Sequence, residues 1–221
     1  MTWTEAVSQT ARLLLDIRDK HGPEAVVFAV GYTKEVRPYL QRLAYAFGTP
    51  NYIAEDSCCY ASCAIAATLT FGPQYSHFLG PSRVDSAETR CRLVWSNNPK
   101  ESRPPDDWHV LNNVSRLTTI VVDPRRTALA RRAAIHLMLR PGTDGALALG
   151  FANVIFSEGL EDKAFLKDHA LGVEDYIRYV AEFTPQRAGE ITGVEPEKII
   201  EAARLYATSH PAQITKIGRA H

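Results

Sequence analysis

The sequence predicts an α/β fold, a Rossmann-like and mostly parallel sheet with helices on both faces. Two observations carry this. Short apolar runs at residues 25–30, 92–96, 118–122 and 135–139 each end at turn-forming residues, as buried strands do. Between them lie stretches with apolar residues at helical spacing. Strands that alternate with helices need crossovers, and crossovers produce parallel sheet with helices packed on it. The chain has 221 residues, 45% hydrophobic and 23% charged, which suffices for one large domain or two small ones.

The elements follow in order. Val7, Ala11, Leu14, Leu15 and Ile17 mark a first helix, with Thr4 as its N-cap, stopped by Gly22-Pro23. The strand over 25–30 ends at Gly31, and a second helix covers 35–47, closed by Gly48-Thr49-Pro50. A third helix covers 62–69 after a run of cysteines. Residues 71–87, rich in Gly, Pro, Ser and His, read as loop. Strands at 92–96, 118–122 and 135–139 follow, with a helix at 127–134 between the last two. An amphipathic helix covers 145–158, and further helices cover 165–166, 173–183 and 195–208. Pro185 to Gly193 reads as a spacer, and a domain change is expected between Asn51 and Cys59.

Lys+Arg and Asp+Glu each count 25, so charge gives no sign of nucleic acid. The longest weakly polar run, 58–72, is shorter than the roughly 20 residues that span a bilayer. Met1 is followed by Thr2-Trp3-Thr4-Glu5, so no signal peptide is read here. Lys216 to His221 back-translates into a common short-read sequencing adapter, so residues 216–221 are expected to be an adapter-derived tail.

Three loops lie beyond strands, at 96–102, 123–126 and 140–144. In open α/β sheets that is where ligands bind. Asn97, Asn98 and Ser102 offer amide and hydroxyl partners. Asp123 can accept bonds from ribose hydroxyls, and Arg125 or Arg126 can face phosphate. Gly142 lets backbone approach a ligand closely, and Asp144 can take two bonds from the N–H edge of guanine. No G-x-G-x-x-G follows the first strand, which argues against a nicotinamide site. Taken singly, each loop reads at least as readily as a surface turn, with Asp144 as a helix cap.

The cluster Asp56-Ser57-Cys58-Cys59-Tyr60-Ala61-Ser62-Cys63 has Cys59 and Cys63 one helical turn apart. Thiolates suit soft metals, but no second cysteine or histidine pair completes a zinc site. His77 is the only histidine near enough in sequence to serve as a base. Cys58, Cys63 and Cys91 read best as small buried hydrophobes.

Together these segments resemble the molybdopterin oxidoreductases of the dimethyl-sulfoxide-reductase superfamily. Thr2-Trp3-Thr4-Glu5-Ala6 resembles the segment that follows that family's iron–sulfur domain. Thr49-Pro50-Asn51, then Cys59 and Ala64-Ile65-Ala66, resembles the metal-ligand segment of thiosulfate and polysulfide reductases and formate dehydrogenases. Val94-Trp95-Ser96-Asn97-Asn98-Pro99-Lys100-Glu101-Ser102 resembles a W-G-x-N-P-x-E-S loop, and Val121 to Thr127 a V-x-D-P-R-x-T loop. Leu139-Arg140-Pro141-Gly142-Thr143-Asp144-Gly145 is the most specific match. Phe183-Thr184-Pro185, Ile191-Thr192-Gly193-Val194 and Ala202 to Tyr206 also agree.

The resemblance implies that Cys59 is the catalytic thiolate ligand of molybdenum or tungsten. The doublet Cys58-Cys59 leaves this open by one residue, and the distance from Asn51 favours Cys59. It implies that Ser96, Asn97, Asn98 and Glu101 contact a bis(molybdopterin guanine dinucleotide) cofactor. Asp123 and Arg125 would hold its ribose and phosphate end, and Pro141, Gly142 and Asp144 its guanine end. Two positions depart from the pattern: Ser96 replaces the usual Gly, and Ala134 the usual Asp. The resemblance further implies a part of a larger multidomain enzyme. Residues 1–55 would follow a [4Fe–4S] domain, and 56–215 would carry the metal ligand and one guanine dinucleotide half-site. The expected partners are a small-molecule substrate and an iron–sulfur electron-transfer subunit, in the cytoplasm or periplasm of a prokaryote. The chemistry would be oxidoreduction, with a non-redox hydratase or transhydroxylase as the alternative and a non-catalytic scaffold as a third reading.

Overall fold

The computed structural model describes residues 1–31, 33–54, 60–72, 89–102 and 116–216. The chain divides into two compact units, Met1–Ser76 and His77–His221. The division falls past the boundary expected at 55–56, so the helix over Tyr60–Phe71 belongs to the first unit.

In the first unit, α1 (Trp3–His21) leads into β1 (Phe28–Val30), α2 (Arg37–Phe47), β2 (Tyr52–Ala54) and α3 (Tyr60–Phe71). The N-cap of α1 is Thr2, not Thr4. The Thr2 hydroxyl accepts the Glu5 N–H at 3.2 Å, and Glu5 Oε2 accepts the Thr2 N–H at 2.7 Å. This capping box needs a Glu three residues after the cap, and Glu5 fixes the register. Strand β1 is shorter than the run at 25–30 because Pro23–Ala25 forms a 3-10 turn. β1 and β2 pair in parallel, Phe28 opposite Tyr52. Val26, Phe28 and Ala44 form the core, packed by Leu14, Leu40, Phe47 and Tyr52. The Thr49-Pro50-Asn51 motif fastens the two strands. The Thr49 hydroxyl donates to the Val26 carbonyl at 2.9 Å, and the Asn51 side-chain amide donates to the Glu24 carbonyl at 2.7 Å.

The second unit contains β3 (Cys91–Trp95), α4 (Pro99–Ser102), β4 (Thr118–Val122), β5 (Ile135–Leu137) and then five helices. These are α5 (Asp144–Ser157), α6 (Lys163–His169), α7 (Val173–Val180), α8 (Pro185–Thr192) and α9 (Pro196–Thr208). Strand β6 (Ala212–Lys216) ends the described chain. The four strands are parallel in the order β5-β4-β3-β6. Successive strands step outward from β3 to β5, and β6 then returns to the other side of β3. The carboxyl ends of β3 and β6 therefore form a topological switch point, where open α/β sheets leave a crevice.

One sheet face presents Cys91, Leu93, Trp95, Ile120, Val122 and Leu137 to Leu147, Phe151 and Val154 of α5 and to Ile199, Ala202 and Ala203 of α9. Each large apolar side chain buried here contributes about 1.5–3 kcal/mol. The buried positions of α5, Leu147, Gly150, Phe151 and Val154, follow helical spacing and form its core face. A Cβ at Gly150 would lie 2.7 Å from the Ala188 Cβ, so α5 and α8 approach too closely for any side chain there. The opposite sheet face carries Val94 and Val121 against Leu129 and Ala130. Arg92 is also fully buried, and burial, then repulsion from Arg116, lowers its pKa to about 10.

Residues 127–134 do not form the expected helix. The Thr127 hydroxyl accepts the Ala130 N–H at 3.1 Å, and only a 3-10 turn at Ala130–Arg132 follows. The stretch read as a spacer is α8, with Thr184 as N-cap and Gly193 as its left-handed C-cap at φ 77°. Strand β6 was not expected, and it reaches Lys216, opposite Trp95. The remainder of the expected tail, 217–221, lies outside the described residues. Among the described residues no helix is long and apolar enough to cross a membrane.

Candidate functional site

The site grows from the carboxyl ends of β3, β4 and β5. After Trp95 the chain turns at Ser96, whose φ of 50° lies in the left-handed region. Its N–H donates to the Val122 carbonyl at 2.8 Å, which pins the turn to β4. A serine in this conformation carries a cost on the order of 1–2 kcal/mol, and glycine would carry none. The departure from the family's glycine thus falls on a position whose backbone still takes the glycine conformation. Beyond it, Asn97 is only 7% exposed, and its Oδ1 has no hydrogen-bond partner among the described residues. A buried acceptor left unmet costs about 1–3 kcal/mol, so this oxygen is suited to a donor from outside the chain. The Asn98 carbonyl accepts the Glu101 N–H at 3.1 Å and starts α4. The side chain of Ser102 lies outside the described residues.

After β4, Asp123 is 5% exposed. Its Oδ1 accepts the Arg125 N–H at 2.7 Å, and its carbonyl meets His136 Nε2 at 2.9 Å. The Arg125 guanidinium reaches Glu101 Oε2 at 3.1 Å, with its Nε 4.0 Å from Asp123 Oδ1. Arg125 and Glu101 are exposed, so the pair contributes at most about 1 kcal/mol. Its consequence is geometric, because it ties the loop after β4 to the loop after β3. Arg126 contributes a backbone carbonyl to Arg131 at 3.0 Å.

After β5 the loop is clamped to α8. The Arg140 N–H donates to the Thr192 carbonyl at 2.8 Å, and its guanidinium donates to the Glu190 and Ile191 carbonyls at 2.8 and 3.2 Å. Arginine at a helix C-terminus satisfies carbonyls that the helix itself leaves open. Pro141 is exposed, and Gly142 takes a left-handed φ of 82°. Asp144 is the first residue of α5, and the N-cap is Thr143. The Asp144 carboxylate reaches across the sheet instead: Trp95 Nε1 donates to its Oδ1 at 2.7 Å, and Ser96 Oγ lies 3.5 Å from the same oxygen. The reading of Asp144 as a helix cap is therefore not what this geometry shows.

The described structure thus joins Ser96 with Asp144, and Glu101 with Arg125 and Asp123. Cys58, Cys59 and His77 lie outside the described residues, as does the side chain of Cys63. Cys91 is fully buried on β3, and burial pushes its thiol up to about 11, which fits a small hydrophobe. Among the described residues no group of three or more His, Cys, Asp and Glu could hold a metal ion. Sequence reasoning did not find the Trp95 contact or the Arg140 clamp. The signal for the clamp was present, since Arg140 and Gly193 fall in separate matched motifs.

A family model for molybdopterin oxidoreductase matches residues 1–217. The chain belongs to the molybdopterin oxidoreductase family. Acetylene hydratase of Syntrophotalea acetylenica is 32% identical over 97% of this chain and 29% of its own length. Formate dehydrogenase H of Escherichia coli is 32% identical over 97% of this chain and 30% of its own. The solved structure of acetylene hydratase from Pelobacter acetylenicus superposes with a TM-score of 0.63 at 31% identity, covering 97% of this chain and 29% of that one. The chain therefore spans under a third of the length of these relatives. Molybdopterin oxidoreductases are enzymes that use a molybdenum or tungsten pterin cofactor. The residues here fit such a group: Asn97 Oδ1 is a buried acceptor without a partner among the described residues, and Gly142 gives backbone access.

Proposed function

We propose that this chain is part of the catalytic subunit of a molybdenum or tungsten oxidoreductase acting on a small-molecule substrate. In this reading it supplies the metal's thiolate and one cradle of a bis(molybdopterin guanine dinucleotide) cofactor. The observation that carries the reading is the tying of three loops into one surface. Trp95 at the end of β3 donates to Asp144 at the start of α5 at 2.7 Å, and Arg125 after β4 reaches Glu101 of α4 after β3 at 3.1 Å. Independent surface turns would have no reason to be so joined.

When bound, the cofactor supplies a metal that changes oxidation state while oxygen, sulfur or hydride equivalents move. The chain's own residues bind and orient it. Asn97 and Asn98 offer amides, Asp123 accepts from ribose hydroxyls, and Arg125 faces the phosphates. Pro141 and Gly142 bring backbone close to the guanine, and Asp144 accepts from its N–H edge. Cys59, which directly precedes α3 in the chain, is the thiolate ligand that sets the metal's electronics. The complete enzyme would add a [4Fe–4S] domain and an iron–sulfur electron-transfer subunit.

The similarity to acetylene hydratase favours a second reading, a non-redox hydration at the same kind of centre. Metal, pterin and guanine analysis of the purified enzyme tests the first proposal, with loading of all three expected and their absence overturning it. Reduction or oxidation of viologen dyes then separates oxidoreductase from hydratase.

A further inference from the structure

We infer that Trp95 is a positioning residue whose indole N–H fixes the orientation of the side chain at Asp144, so that an acceptor must face Trp95 and only a carboxylate has a second acceptor left for the guanine N–H edge. This rests on the proposed reading that Asp144 meets guanine. The indole N–H can only donate. Trp95 is 8% exposed, its ring lies edge-on to Phe151 at 6.1 Å, and its Nε1 donates to Asp144 Oδ1 at 2.7 Å. Ser96 Oγ lies 3.5 Å from that same oxygen, and neither group engages Oδ2. The carboxylate is therefore held through Oδ1, and Oδ2 has no hydrogen-bond partner among the described residues.

The consequence appears when an amide replaces the carboxylate. With Trp95 present, the side-chain carbonyl of the Asp144→Asn variant must face the indole N–H, since the reverse would set two donors against each other. The amide NH2 then faces the base, where guanine's N1–H and N2–H are also donors. Asparagine is thus forced into the orientation that rejects guanine. Removing the indole N–H releases the amide, which can rotate its oxygen toward the base. The two substitutions are therefore non-additive with a defined sign: Trp95→Phe relieves Asp144→Asn. A purely structural tryptophan would make the double variant as poor as the worse single variant, or poorer.

The test measures guanine nucleotide released by acid hydrolysis, per polypeptide, from the purified holoenzyme in four forms: parent, Trp95→Phe, Asp144→Asn and the double variant. Circular dichroism checks that each is folded. Asp144→Asn should lose about tenfold or more, the factor imposed by one misplaced hydrogen-bond partner. The double variant should recover several-fold over Asp144→Asn. Trp95→benzothienylalanine, which puts sulfur in place of the N–H in the same outline, repeats the cycle if phenylalanine leaves the core unfolded. A folded double variant that loads no better than Asp144→Asn overturns the positioning role and leaves the guanine reading standing. Parental loading in Asp144→Asn means the amide is not held and likewise overturns the positioning role, whereas parental loading in a folded Asp144→Ala variant, which has no acceptor at all, overturns the guanine reading on which this inference rests.

Discussion

Gly150→Ala tests whether the position of α5, and with it Asp144, depends on close helix packing. The added Cβ would sit 2.7 Å from the Ala188 Cβ and 3.6 Å from Ile199 Cγ2. Carbon atoms pack best at about 3.5–4.0 Å, so one helix must retreat by roughly 1 Å. Ala188 has no rotamer that relieves the contact. Overpacking of this kind costs about 1–3 kcal/mol. Alanine's helix propensity returns about 1 kcal/mol relative to glycine. Because the opposing atom is fixed to backbone, the upper part of the range applies and the net loss is about 2 kcal/mol. Asp144 is the first residue of α5, so a shift of that helix would also perturb the 2.7 Å bond between Trp95 and Asp144. Urea denaturation followed by far-ultraviolet circular dichroism should show a lowered midpoint, partly restored by adding Ala188→Gly. A Gly150→Ala variant as stable as its parent would refute the packing argument.

Further outcomes follow from the same structure. Cys59→Ala should abolish turnover of the complete enzyme while its guanine nucleotide content is largely kept, and Cys58→Ala and Cys63→Ala should be mild in the same assays; loss of turnover in Cys58→Ala but not in Cys59→Ala would shift the ligand by one residue. Arg140→Ala should lower stability by about 1 kcal/mol in the same urea assay, because carbonyls at the end of α8 lose their donor. Glu158 is held below its ordinary pKa by the hydrogen bond from Arg204. Its contribution to stability is therefore present above the unfolded pKa and lost as pH falls through the folded one, and Glu158→Gln should flatten that acid limb. Cys91, raised to about 11 by burial, should resist iodoacetamide at pH near 8 in the folded protein, as peptide mapping would report.

Much of the sheet was legible because its strands are continuous apolar runs, as buried parallel strands must be. Residues 118–122 carry β4 where expected, and Cys91–Trp95 is shifted by one residue. The short strand Tyr52–Ala54 and the alternating Ala212–Lys216 lack such a run, and pairing with neighbours makes them strands. Helix α8 was hidden by reading Pro185 and Gly193 as breakers, although Pro at N1 and Gly at the C-cap are ordinary helix boundaries. At the site, the residue types of the three loops were legible from chemistry and resemblance. Their coupling was not: Trp95 and Asp144 are 49 residues apart, and nothing local in either segment signals that an indole will hold the carboxylate.

In the proposed reading, the loops after β3, β4 and β5 hold the guanine dinucleotide half of the cofactor. The most direct test counts guanine nucleotide per polypeptide in the purified enzyme and in its Asp123→Ala and Asp144→Ala variants. The expected result is a guanine content that matches the metal content in the parent, and a clear loss in both variants while they remain folded. Full guanine loading in both variants would contradict it.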